Sequence, residues 1–241
     1  MSKHTITIVA AVALWLTVLA WVWHPRIVGA EVQREIWAPV AHKNEPVVLT
    51  RITLGGRVVQ VGRFVRPRGT DMDPVTPFEG DENWIQGLVL HLLNRTNRTI
   101  VFAMIHISFP ETTNGNQRLA YHLTLGRIPP SADFDQNGKS IPQAADARPL
   151  SFRPGTILMI PLRDYIDEIR SRIEPTLPLA LTTKLAVSFG RSYLDDGMQW
   201  TGATYSLPDR GSISWRKVDR NYFPGDMESN WPGRPGWTGW Q

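Results

Sequence analysis

The sequence predicts an all-β fold, an antiparallel β-sandwich with one short helix, set behind an N-terminal transmembrane or signal helix. Three observations lead there. Apolar, β-branched runs of strand length recur after residue 45, separated by Gly, Asn and Pro. Only one stretch, residues 163–173, carries a helical period. Helices and strands do not alternate, which excludes a parallel sheet built from βαβ units.

The elements follow in chain order. Residues 5–23, TITIVAAVALWLTVLAWVW, carry no charge and are apolar all round. As a helix they would span about 28 Å, close to the hydrocarbon thickness of a bilayer. Lys3 precedes the run, and Trp21 and Trp23 stand at its far end, where indoles favour a membrane interface. The length favours a retained anchor. The small residues Val28, Gly29 and Ala30 equally suit cleavage after Ala30, and both readings stay open. Residues 1–30 are thus anchor or signal peptide, 31–45 a linker, 46–220 the β domain and 221–241 a tail.

Within the domain, PVVLTRITLGGRVVQVGRFV places two β-branched runs around Gly55 and Gly56, the composition of a tight hairpin. Residues 84–109, WIQGLVLHLLNRTNRTIVFAMIHISF, read as a second hairpin turning at NRTNRT, with Arg95 opposite Arg98. That register gives Leu88, Leu90, Leu92, Val101, Ala103, Ile105 and Ile107 one continuous core face. The opposite face, with Phe102 and Met104, is half apolar. The NRT triplets match glycosylation sequons but suit a polar turn better. Residues 119–125 and 155–162 are further strands, parted by a polar loop at 131–149. Helix 163–173 places Ile166, Ile169 and Ile173 on one face with a Glu168–Arg172 pair, and Pro175 and Pro178 end it. TKLAVSFG, GMQWTGATYSL and SISWRKV are the last strands, with Trp84, Trp200 and Trp215 as packing residues.

Composition narrows the function. The chain has 241 residues, no cysteine and a net charge of +4, of which Lys3 and Arg26 in the first thirty residues supply two. Without cysteine there is no disulfide, thiolate catalysis or zinc–thiolate site. A body so near neutral lacks the basic footprint of a nucleic-acid binder. No GxSxG elbow and no phosphate-binding glycine loop is present. Asp195 and Asp196 point to opposite sides of an extended chain, and Asp-Gly before an aromatic strand is hairpin chemistry.

Two motifs remain. Asp133, Asp135, Asn137 and Gly138 occupy positions 1, 3, 5 and 6 of a calcium loop, whose closing Glu is replaced by Ala144. An Asn-Gly turn accounts for the same residues. His91, His106 and His122 fall in strands, with His91 and His106 about 13 Å apart in the hairpin register, too far to share a metal. The tail NWPGRPGWTGWQ carries Trp231, Trp237 and Trp240 among Pro and Gly that deny it helix or ladder pairing. Three such rings need an apolar surface: their own domain (the face of Phe102 and Met104), or a partner protein or the membrane interface.

Two segments resemble a known group. ENWIQGLVLHLLNRTNRTI followed by IHISFPE, and FGRSYLDDGMQWTGATY with Asp196, Gly197, Trp200 and Gly202, are similar to segments of uncharacterised exported bacterial β-sandwich proteins of acidobacterial type. The resemblance covers residues 82–215 and implies an exported, immunoglobulin-like fold with no known activity. The expectation is an inner-membrane, single-pass protein with its body in the periplasm, or a secreted one if cleaved. Its role is binding or structural, without an obligatory cofactor, with the membrane and an envelope protein as partners. Rival readings are a carbohydrate-binding module with structural calcium and an envelope hydrolase using carboxylates.

Overall fold

The computed structural model describes residues 32–65, 75–114, 117–135, 137–143, 145, 147–209 and 214–218. Residues 1–31 and the tail, with Trp231, Trp237 and Trp240, lie outside the described residues. The chain runs through β1 (Val32–Pro39), β2 (Val47–Leu54), β3 (Arg57–Val59), β4 (Val61–Phe64) and β5 (Phe78–Gly80). Then come β6 (Leu88–Asn94), β7 (Ile100–Asn114), β8 (Gln117–Gly126) and β9 (Ile157–Pro161). A 3-10 turn (Leu162–Tyr165) leads into α1 (Ile166–Ile173), the one α-helix among the described residues. β10 (Lys184–Leu194), β11 (Gln199–Thr201), β12 (Thr204–Asp209) and β13 (Ser214–Lys217) complete the order. The fold is all-β with one short helix.

Two sheets result. Four strands form one, in the order β3-β2-β6-β9; the other nine form a larger mixed sheet. They share a core: Ile52, Leu88, Leu90 and Leu92 of the small sheet lie in one cluster with Ala103, Ile105, Ile107, Leu185 and Val187 of the large one. The Gly55/Gly56 hairpin forms, pairing Leu54 with Arg57 with both glycines at positive φ (55° and 84°), but only Arg57–Val59 of its second run pairs with β2; Val61–Phe64 joins β1 in the other sheet.

Three expectations are corrected. First, β6 and β7 do not pair. β6 lies between β2 and β9, while β7 lies between β8 and β10. Their leucines and isoleucines do meet, but across the core rather than side by side. The reason sits in NRTNRT, where Asn94 is fully buried. Its amide donates to the carbonyls of Arg98 (2.8 Å) and Phe152 (2.7 Å), and its oxygen accepts from the N–H and hydroxyl of Thr96. This clasp satisfies the backbone of an arch between sheets, which a two-strand turn would satisfy by ladder bonds. It also excludes a glycan on Asn94 in the folded chain.

Second, part of the linker is a strand. In β1 the inward positions are Arg34, Ile36 and Ala38, all buried. β1 runs parallel to both β4 and β10, so the large sheet is not purely antiparallel. The chain leaves β1 to build the β2–β3 hairpin in the other sheet and returns as β4; such a crossover yields parallel neighbours. Third, GMQWTGATYSL holds two strands, β11 and β12, joined at Gly202 and Ala203, both at positive φ. In α1, Ile169 and Ile173 are buried as expected. Glu168, however, accepts the Tyr121 hydroxyl of β8 rather than pairing with Arg172, and Arg170 bridges Asp167 (3.2 Å) and Glu174 (3.1 Å).

Candidate functional site

The residues singled out for chemistry are mostly engaged in holding the fold. In the Asp133 loop, Phe134 and Ser140 form an isolated antiparallel bridge. One carboxylate oxygen of Asp135 accepts the N–H groups of Asn137 (2.8 Å) and Lys139 (2.9 Å), the pattern of an Asp-capped turn. The carbonyl of Asp133 accepts the N–H of Ile141. Among the described residues no three His, Asp or Glu side chains gather closely enough to hold a metal ion. Asp195 and Asp196 form the β10–β11 turn. Asp196 accepts the N–H of Met198 (3.0 Å) and lies 3.9 Å from Arg98, while the backbone N–H of Asp195 donates to Thr99.

The histidines divide between the sheets. His106 and His122 are cross-strand neighbours on β7 and β8, their rings stacked at 4.5 Å. His91 is on β6 in the other sheet, opposite Arg51 and Met159 rather than Phe102. Trp84 and Trp200 are fully enclosed packing residues, and Trp215 is half-buried against Phe134 and Tyr193.

Sequence reasoning missed two buried arginines. Arg34 donates from Nε to Gly80 O (3.3 Å) and from its terminal nitrogens to the carbonyls of Asp81 (3.2 Å), Ala180 (3.1 Å) and Thr182. Its guanidinium carbon lies 5.7 Å from the Trp84 ring. Burial lowers its pKa, while Glu111 and Asp81 pull the other way. Arg95 donates to the carbonyls of His42 (3.4 Å) and Lys43 (3.1 Å). Burial pushes its pKa down to about 10, against the raising influence of Glu45 and Tyr205. A planar fork of five donors suits such carbonyl clusters, so both residues clamp chain segments that no ladder joins.

Among the described residues, three exposed apolar side chains gather on the outer face of the small sheet. Core-facing residues there are Ile52, Val59, Leu90, Leu92, Leu158 and Ile160. Alternation sends their neighbours outward. The ladder registers line these up in three rows: Val58, Thr53, Val89 and Pro161; Arg51, His91 and Met159; Val48, Leu93 and Ile157. Val58 (55%), Ile157 (54%) and Met159 (59%) are the exposed rim. His91, in the middle row, is only 3% exposed, bonded through Nε2 to Thr53 (3.2 Å), with Nδ1 buried and unpartnered. Burial and the nearby Arg51 lower its pKa. The sequence signal was present: the runs of β6 and β9 are apolar at both parities, the mark of strands with two apolar faces.

The outer face of the large sheet is different. Phe102 and Tyr193 meet edge-on at 5.7 Å and are buried with Ile128 and Ala132, with Val101, Met104, Ile141 and Trp215 packed around them. The Trp215 indole donates to the carbonyl of Phe134 (3.3 Å). The loop read as polar thus roofs the half-apolar face at Phe102.

In comparisons with known proteins, the chain matches no family model, no curated protein and no solved structure.

Proposed function

We propose that this chain is an exported, membrane-tethered β-sandwich of immunoglobulin-like type that works by binding another protein in the cell envelope. The observation that carries the reading is the outer face of the small sheet, where Val58, Ile157 and Met159 stay more than half exposed. Exposed apolar residues gathered on one face are a mark of a protein contact. The charge-free run at residues 5–23 supports tethering; Lys3 before it and Arg26 and Arg34 after it nearly balance, and the body is assigned to the outside. Catalysis by carboxylates has less to rest on, because Asp135 and Asp196 spend oxygens on their own turns.

The test places a photo-crosslinking residue at Met159 in the full-length protein and in a chain ending at Pro224, both in native membranes. A discrete protein adduct is expected in at least one of them, lost when Val58→Asp is added on the same face. No adduct in either form removes the binding reading. Turnover on a glycan and ester panel that vanishes with Asp195→Asn or Asp196→Asn replaces it with an envelope hydrolase.

A further inference from the structure

The small sheet ends on β9, and that edge is open. Among the described residues β9 pairs with β6 and with no other strand. The N–H of Asn94, at the end of β6, donates to the carbonyl of Thr156 (3.2 Å), so Thr156 turns its carbonyl towards β6. Along a strand, the backbone groups of successive residues point to opposite sides. Ile157 and Met159 therefore turn their N–H and C=O groups away from β6, to the open side. Their side chains stand beside that edge, 54% and 59% exposed.

We propose that β9 accepts an added strand: an extended, largely apolar segment of another protein that pairs with Ile157 and Met159. The inference rests on the small sheet being a binding surface and names the kind of partner and the mode of contact.

Three observations select this occupant. The first is the lack of protection. Edge strands are guarded by charged residues, Pro or a covering element. The other terminal strands among the described residues carry charge in their sequences: Arg57 in β3, Arg63 in β4, Glu79 in β5, Arg118 in β8, Arg216 and Lys217 in β13. β9 reads ILMIP and carries none, and its Pro161 stands last, which leaves the N–H groups of Ile157 and Met159 in place. The second is the spacing. Donors and acceptors two residues apart on one line match an extended backbone, whose main-chain bonds give attachment while its alternate side chains lie beside Ile157 and Met159. The third is charge. Arg153, four residues before β9, and Arg163, two residues after it, are both exposed. Arg163 lies 3.5 Å from Asp164, and Arg153 makes no ion pair among the described residues. A second copy of β9 would set arginine beside arginine in either direction of pairing. A foreign segment with an acid at the end that meets Arg153 turns the same charge into attraction.

The test titrates the full-length protein with a fluorescent library of seven-residue peptides, blocked at both ends, with Glu at each terminus and Val, Ile or Thr between. Saturable binding by members of the library is expected. Methylating alternate backbone nitrogens of a binding peptide should weaken it at least tenfold in one register and little in the other, because only one set of N–H groups faces β9. Ile157→Pro removes an open-side N–H at the first residue of the strand, where proline is tolerated. Met159→Lys adds a charge without changing the backbone. Each should weaken binding at least tenfold while circular dichroism stays that of the parent. No binding by any member, equal weakening in both registers, or binding that ignores both substitutions overturns the proposal. Dimers in sedimentation velocity that Ile157→Pro dissolves assign the edge to a second copy and also overturn it. The two readings fail separately. Partner adducts at Met159 that persist with Ile157→Pro leave the binding surface and remove the added strand. Peptide binding that meets these criteria, without partner adducts in native membranes, leaves the strand-accepting edge and removes the envelope partner.

Discussion

The two outer faces of this molecule begin from similar sequence and end differently. Phe102, Met104 and Tyr193 on the large sheet and Val89, Leu93 and Met159 on the small one are all apolar residues pointing away from the common core. Over the first, a loop folds back with three well-placed apolar side chains, Ile128, Ala132 and Ile141, and Trp215 completes the cover. Over the second, no described segment plays that role, and Met159 stays more than half exposed. Apolar character alone therefore does not separate a core from a contact surface. What separates them is whether the chain supplies a cover, and that separation is measurable.

The largest expected difference is Phe102→Ala against Met159→Ala. The first empties a roofed site and should lower unfolding stability by about 3–5 kcal/mol in urea titration. The second should stay within about 0.5 kcal/mol. Equal costs would mean that both faces are covered in the full chain. Trp215→Ala comes next. The ring is half-buried, so about half the cost of a core tryptophan, about 2 kcal/mol, is expected. Increased proteolysis within residues 127–143 would show that the roof, rather than the sheet, has loosened.

His91 sharpens the comparison through pH. Its folded pKa lies below the ordinary 6.5, so between that value and 6.5 the unfolded chain binds more protons. Stability is then full above pH 6.5 and falls as pH drops through the folded pKa, by at most about 1.4 kcal/mol per pH unit. Thermal melts from pH 7.5 to 4.5 should show this loss in the parent and a shallower one in His91→Gln. A profile unchanged by the substitution would place the acid sensitivity elsewhere. The smallest effect is Met159→Asp, expected to leave the melting temperature of the chain ending at Pro224 within about 2 °C, since an exposed site there has little to lose.

Much of the fold was legible because its signals are local. The Gly55/Gly56 hairpin, the Asp196/Gly197 turn and the isoleucine face of α1 each follow from a few neighbouring residues. β1 was hidden because one of its inward positions is Arg34, which breaks the apolar alternation. Its burial makes sense only beside carbonyls from residues 80, 81, 180 and 182, far along the chain. The arch at NRTNRT was misread because a polar turn between apolar runs looks the same whether the strands pair or part. Asn94 decides it with a bond to Phe152, 58 residues away. Of the candidate site, the apolar residues of β6 and β9 were visible, but their outward face was not, since it depends on the partners these strands take.

The sequence by itself determined the class: strands of alternating and doubly apolar residues, one short helix, and turns where glycine or Asp-Gly permits them. These depend on side-chain period and backbone freedom, which act over a few residues. Only the tertiary structure decided which strands share a sheet, that β1 runs parallel to its neighbours, which arginines are buried, and which apolar face is roofed. Those outcomes turn on satisfying distant backbone groups and burying apolar area together, and no stretch of the chain carries that balance alone.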